Sequence, residues 1–176
     1  MTTLFVLLVV YQLKHFLADY PLQNGYMLKK FEPGWKFLGP LVSHCMVHAV
    51  MTLWIVAGYL WYKNGFTQFN VLPAYELALL DFVIHFTMDR IKAGPKYLGR
   101  YKPLTAKEYG ELKRQEAVLS QSLAEDSGPD NMCRVHKGIT EVISKFKSNT
   151  YFWWSLGLDQ MVHHLTHYYI IWTLVS

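Results

Sequence analysis

Four mostly apolar stretches alternate with polar ones along this chain. They run from about Thr3 to Tyr20, Leu38 to Tyr62, Val71 to Ile91 and Tyr151 to Val175. Each is close to the ~20 residues that a helix needs to cross a bilayer. Helix breakers mark their ends. Pro21 stops the first, Gly39-Pro40 opens the second, Lys63-Asn64-Gly65 closes it, and Gly94-Pro95 follows the third. The third is the most interrupted, by Glu76, Asp81, His85 and Asp89. Aromatic residues gather at segment ends (Trp61 and Tyr62; Tyr151 to Trp154), as in interfacial belts.

Residues 92–150 read differently. "TAKEYGELKRQEAVLSQSLAED" predicts a solvated helix closed by Ser127-Gly128-Pro129. "RVHKGITEVISKFK" predicts a second, amphipathic helix lying against the membrane or the bundle. The expected fold is therefore all-α and polytopic. Residues 1–91 and 151–176 form a four-transmembrane-helix bundle, and residues 92–150 form a polar, partly helical insert. The opening "MTTLFVLLVVYQLKHFLADYP" has no basic stretch before its apolar run and no small-residue cleavage site after it. It is expected to be a retained span, not a removed signal peptide.

Composition sharpens this picture. The 52% hydrophobic content averages two unlike regions, the apolar segments and the polar insert. A formal charge of +4 is too small and too localised to point to nucleic acid. Two cysteines, Cys45 and Cys133, exclude a disulfide framework and a four-cysteine zinc site. Charge placement sets an orientation. If all four segments span, the first and third loops share one side and hold fifteen of the seventeen Lys and Arg residues. The excess of positive charge on one side predicts a cytoplasmic insert and outward termini, in the inner (cytoplasmic) membrane.

The apolar segments also carry chemistry. Each has two potential metal ligands four residues apart: His15 and Asp19, His44 and His48, His85 and Asp89, Asp159 and His163. That spacing puts both side chains on one helix face, a turn apart. At ~1.5 Å per residue, all four pairs fall in the cytoplasmic half of the expected bundle, although the helices alternate in direction. Eight ligands at similar depth can hold one ion or two. Imidazole with carboxylate suits zinc first, then iron or manganese, over calcium or magnesium. The plainer alternative is a hydrogen-bonded His–Asp core without metal.

Other residues are weighed against the pairs. Asp81 lies one turn deeper than His85, as a ligand-supporting partner, an extra ligand or a simple helix-to-helix hydrogen bond. His167 continues the Asp159/His163 face, while His164 points about 100° away from His163. Gln23, Lys29, Lys30, Arg90 and Lys92 form a cytoplasmic rim suited to an anionic or phosphate-bearing lipid. The same lysines also serve as ordinary membrane anchors.

The motifs "HFLADYPLQ", "HCMVH", "HFTMDRIK" and "LDQMVHH", in that order, resemble a family of small bacterial and phage integral membrane proteins, a domain of unknown function. The resemblance spans all four apolar segments and leaves out the insert. It marks His15, Asp19, Gln23, His44, His48, His85, Asp89, Lys92, Asp159, Gln160 and His163. It brings no established activity. The chain is also distantly similar, in placing His/Asp pairs on membrane helices, to prophage proteins described as metal-dependent hydrolases.

The expected function is a metal-dependent hydrolase acting on a lipid or other membrane-borne substrate at the cytoplasmic leaflet. A metal-bound water would be the nucleophile and Asp81 or Asp19 the general base. Gln23, Lys29, Lys92 and Gln160 would meet the substrate. Self-association in the membrane is compatible with this reading. A metal-ion or proton transporter or sensor is the alternative, as is a phage–host interaction protein with a structural metal. "HCMVH" and "HHLTH" also resemble the histidine boxes of membrane desaturases, although those enzymes use more histidines at the cytosolic surface.

Overall fold

A computed structural model describes residues 2–65 and 70–176. The described chain is all-helical, with five α-helices: α1 (Thr2–Asp19), α2 (Leu38–Asn64), α3 (Leu72–Ala93), α4 (Ala106–Glu125) and α5 (Pro129–Val175). Single 3₁₀ turns occur at Met27–Phe31 and Leu98–Arg100. The first three helices coincide closely with the first three apolar segments. Among the described helices, α1 and α2 are long and apolar enough to cross a membrane. α3 is interrupted by the acids and histidines named above.

α5 departs from expectation. The amphipathic stretch and the fourth apolar segment are one continuous helix of 47 residues, about 70 Å long at 1.5 Å per residue. Its first half does not lie on the bundle. It pairs with α4 as a helical hairpin, burying Leu112, Val135 and Val142. Gly138 permits the close approach, since a Cβ there would sit 2.9 Å from a Leu119 methyl. Tyr109 and Phe146 meet with ring centroids 5.1 Å apart. The hairpin is tied at its base. Ser148 Oγ and Asn149 Oδ1 accept from the backbone N–H groups of Lys102 (3.2 Å) and Leu104 (2.9 Å).

α1, α2, α3 and the second half of α5 pack around a common axis. At one end the interior is apolar, made by Leu7, Tyr11, Val56, Ala74, Leu77, Ile170, Ile171 and Leu174. At the other end Phe37, Leu41 and Cys45 pack with Phe82 and Phe86 beside α2 and α3. Between these patches the interior is ionisable. Lys14, His15, His44, His48, Asp81, His85, Asp89, Asp159, His163 and His167 are all buried. The outer faces are the reverse, with Phe5, Leu13, Trp54, Leu79, Val83, Leu165 and Trp172 exposed.

Candidate metal centre

Each paired residue reaches the centre because i, i+4 spacing keeps both side chains on one inward face. α1 and α3 run toward the polar end, and α2 and α5 run away from it. Levels therefore match across the bundle: His15 with His48, His85 and His163, and Asp19 with His44, Asp89 and Asp159. All eight sequence-predicted ligands meet in one cluster. Asp19 Oδ1 lies 3.1 Å from His48 Nε2 and 3.5 Å from His44 Nε2, and its Oδ2 lies 3.2 Å from His15 Nε2. His44 Nε2 is also 3.2 Å from Asp89 Oδ2. His163 Nε2 faces Asp159 Oδ1 at 3.2 Å and Asp89 Oδ1 at 3.8 Å. The His85 ring lies between His48 and His163, with both centroids 3.9 Å away.

Three groups of ligand atoms lie close enough together to hold an ion. They are His15, Asp19 and His48; Asp89, Asp159 and His163; and His15, His85 and His167. In the last group, His85 Nδ1 lies 3.0 Å from the Asp81 backbone carbonyl and 3.1 Å from its Oδ1. Its Nε2 is then directed into the cluster, buried and without a partner. A carboxylate behind an imidazole in this way fixes the ring and its tautomer.

Three lysines were not foreseen in the form they take. Lys14 Nζ donates to Asp81 Oδ2 at 2.7 Å, Lys30 Nζ to Asp89 Oδ2 at 2.7 Å, and Lys92 Nζ to Asp159 Oδ2 at 2.6 Å. Each carboxylate gives one oxygen to a lysine and turns the other toward a histidine. Burial makes such pairing obligatory, because an unpaired charge in an apolar interior costs several kcal/mol, of the order of the ion's residual desolvation penalty. Lys14 was legible as a basic residue within the first apolar segment. Asp19 differs from the other three carboxylates, since no lysine among the described residues bridges it and its side chain is 22% exposed.

Asp81, one of the two expected general bases, has no exposed face. Thr52 Oγ1 (2.7 Å) and Lys14 donate to its Oδ2, and His85 covers the other oxygen. Its geometry is that of a residue holding His85, which leaves Asp19 as the more exposed of the two. His167 joins the deep layer, with Nε2 3.2 Å from Lys14 Nζ. His164 is half-buried, with Nδ1 3.3 Å from Gln12 Nε2.

The cluster opens at its polar end into a cavity of about 180 Å³. Its walls include Asp19, Asp89 and Asp159 together with Gln23, Lys30, Lys92 and Gln160. Gln160 Oε1 lies 3.0 Å from His15 Nε2, and its Nε2 donates to Asp159 Oδ2 at 3.2 Å. With its amide oriented to satisfy both ends, Gln23 donates to the Asp19 carbonyl (2.7 Å) and accepts from Lys30 Nζ (3.3 Å). Lys29 is absent from these walls and exposed. Its neighbour Lys30 takes the place expected of it, because the 3₁₀ turn directs Lys30 inward.

No curated protein and no solved structure matches the chain. One protein family does, over residues 4–107. The matched stretch carries the pairs on α1, α2 and α3 but stops short of α5, so it covers three of the four motifs expected to resemble a family. On that match the chain belongs to the family described as "Protein of unknown function (DUF3307)".

Proposed function

We propose that this protein is a membrane-embedded metal-dependent hydrolase whose site opens at the cytoplasmic leaflet. The observation that carries the proposal is the inverted polarity of the bundle. Six histidines and four aspartates face inward from four helices whose outer faces are apolar. In water such an exterior is a liability. In lipid it is the expected one, and intramembrane ionisable groups then mark function. All four bundle helices are therefore read as spans, with the α4–α5 hairpin and the basic loops in the cytoplasm and both termini outside.

Zinc is the preferred ion on the donor set, with iron or manganese next. A bound ion would supply an acidified water as nucleophile. Within the chain, Asp19 is positioned to take its proton, being the carboxylate without a lysine and lying on the cavity wall. Lys30 and Lys92 flank the same cavity and suit a phosphate-bearing or otherwise anionic headgroup. Asp81 and Lys14 hold His85 from behind. A transport role is less well supported, because the polar column ends at Tyr11 and Thr52. Beyond them Leu7, Val56, Leu77, Ile170, Ile171 and Leu174 close the interior.

Metal analysis of full-length protein purified in mild detergent without chelators tests the proposal. His44→Ala and His85→Ala are expected to lose metal and thermal stability together, because ligand binding energy is also folding energy. His136→Ala, in the hairpin, is expected to change neither. Wild-type protein free of transition metal would sink the reading in favour of a hydrogen-bonded polar core.

A further inference from the structure

We infer that the centre is dinuclear, with one ion held by His15, Asp19 and His48 and a second by Asp89, Asp159 and His163. The inference rests on the metal-centre reading above and assigns its ligands. The two groups share no residue. One comes from α1 and α2, the other from α3 and α5, and each gathers its three ligand atoms within 4.8 Å of one another. Metal–ligand bonds of about 2.0–2.2 Å confine one ion's donors to within roughly 4.4 Å of each other. A single ion held by one set would leave the three ligands of the other with only their side-chain hydrogen bonds and ion pairs.

Two side chains stand at the seam between the sets. His44 Nε2 lies 3.5 Å from Asp19 Oδ1 and 3.2 Å from Asp89 Oδ2. His85 lies between His48 and His163, and its unpartnered Nε2 is buried. Each can complete either coordination sphere. The third group, His15, His85 and His167, does not make a further cation site, because the Lys14 ammonium already lies 3.2 Å from His167 Nε2.

The lysines do not oppose this assignment. Lys30 and Lys92 bind the Oδ2 atoms of Asp89 and Asp159, whereas His163 faces both Oδ1 atoms. Asp159 Oδ1 has no hydrogen-bond donor of its own. An ion at Oδ1 and an ammonium at Oδ2 can thus share one carboxylate. Two ions about 3.5–4 Å apart form the arrangement that clamps both oxygens of a hydrolytic displacement.

The test uses the full chain in mild detergent, saturated with Mn²⁺ alone and freed of loose ion. Bound manganese is measured by mass spectrometry and its magnetic coupling by electron paramagnetic resonance. Wild type is expected to hold two equivalents with an exchange-coupled spectrum. His48→Ala and His163→Ala are each expected to hold one equivalent with the six-line spectrum of an isolated ion. His48→Gln and His163→Gln replace either alanine variant that does not accumulate. One equivalent in the wild type would overturn the dinuclear assignment and leave the metal centre standing. Two uncoupled equivalents, or loss of both ions from a single-set variant, would also overturn it. No bound manganese, together with no native transition metal, would remove both readings.

Discussion

The buried pair of Lys14 and Asp81 gives the sharpest quantitative expectation. Their side chains are 1% and 0% exposed, and 2.7 Å separates Nζ from Oδ2. Lys14→Met leaves the Asp81 carboxylate facing only Thr52, His85 and His167. Asp81→Asn leaves a buried ammonium without its counter-charge, beside His167 and the Tyr11 ring. Breaking a buried pair from either side costs about 3–5 kcal/mol, or roughly a hundredfold or more in the folding equilibrium. Replacing both partners removes both charges, so Lys14→Met/Asp81→Asn is expected to recover much of the loss. The measurement is a double-mutant cycle on reversible unfolding in mixed micelles. Ordinary hydrogen bonds between membrane helices average about 0.6 kcal/mol in such cycles. A coupling no larger than that would show that the pair is not a desolvated ion pair, and the account of Asp81 as the support of His85 would fail with it.

Other expectations follow from the same geometry. A fluorescent reporter inserted near Ser127 should be active when that loop is cytoplasmic, and activity of a periplasm-only reporter there would invert the topology. Once a turnover assay exists, Lys30→Ala should impair the reaction and also lower stability, because it leaves the buried Asp89 carboxylate unpaired, while Lys29→Ala should do neither; equal effects would mean that Lys30 is not held at the cavity wall. The start of α4 should loosen in acid. Thr105 donates from its backbone and then its hydroxyl to Glu108, at 2.8 Å each, and holds that carboxyl below its ordinary value of 4.5. A depressed carboxyl stabilises above its unfolded pKa and ceases to do so as pH falls through the folded value. Amide exchange at Ala106–Glu108 should therefore show protection beyond the intrinsic pH trend being lost below about pH 4.5, and Thr105→Ala should abolish that dependence.

What the sequence made legible is what depends on periodicity. The pairs at i, i+4 converge because spacing alone fixes a shared helix face, and breakers such as Pro21 and Gly94-Pro95 fix where α1 and α3 end. The continuity of α5 was not legible for the opposite reason. Hydropathy changes sharply near Tyr151, which reads as a boundary, yet no proline lies between Asp130 and Val175 to break the backbone. The helical ladder responds to backbone chemistry and carries on through a change of hydropathy. Lys29 and Lys30 were indistinguishable as neighbours. The 3₁₀ turn separates them, and Asn24 Oδ1, accepting from Met27 N–H at 3.0 Å, helps to open that turn.

The lysines are the part that needed three dimensions, because each finds its aspartate far along the chain. Lys14 meets Asp81, Lys30 meets Asp89, and Lys92 meets Asp159. The repetition has a consequence for the chemistry. An ammonium on Oδ2 leaves Oδ1 free for a histidine, His85 at Asp81 and His163 at Asp89 and Asp159, although Asp89 Oδ2 also meets His44. The lysines also offset most of the negative charge that a cluster of aspartates brings into a low-dielectric interior, where like charges repel strongly. Three carboxylates are thereby locked in orientation. Asp19 is not, and it is the carboxylate that combines contact with His15 and His48 with a place on the cavity wall. Asp19 is both a ligand of the first ion and the carboxylate least tied down, so Asp19→Asn should lower bound metal together with activity, and full metal retention with activity lost would assign it the proton-transfer role alone.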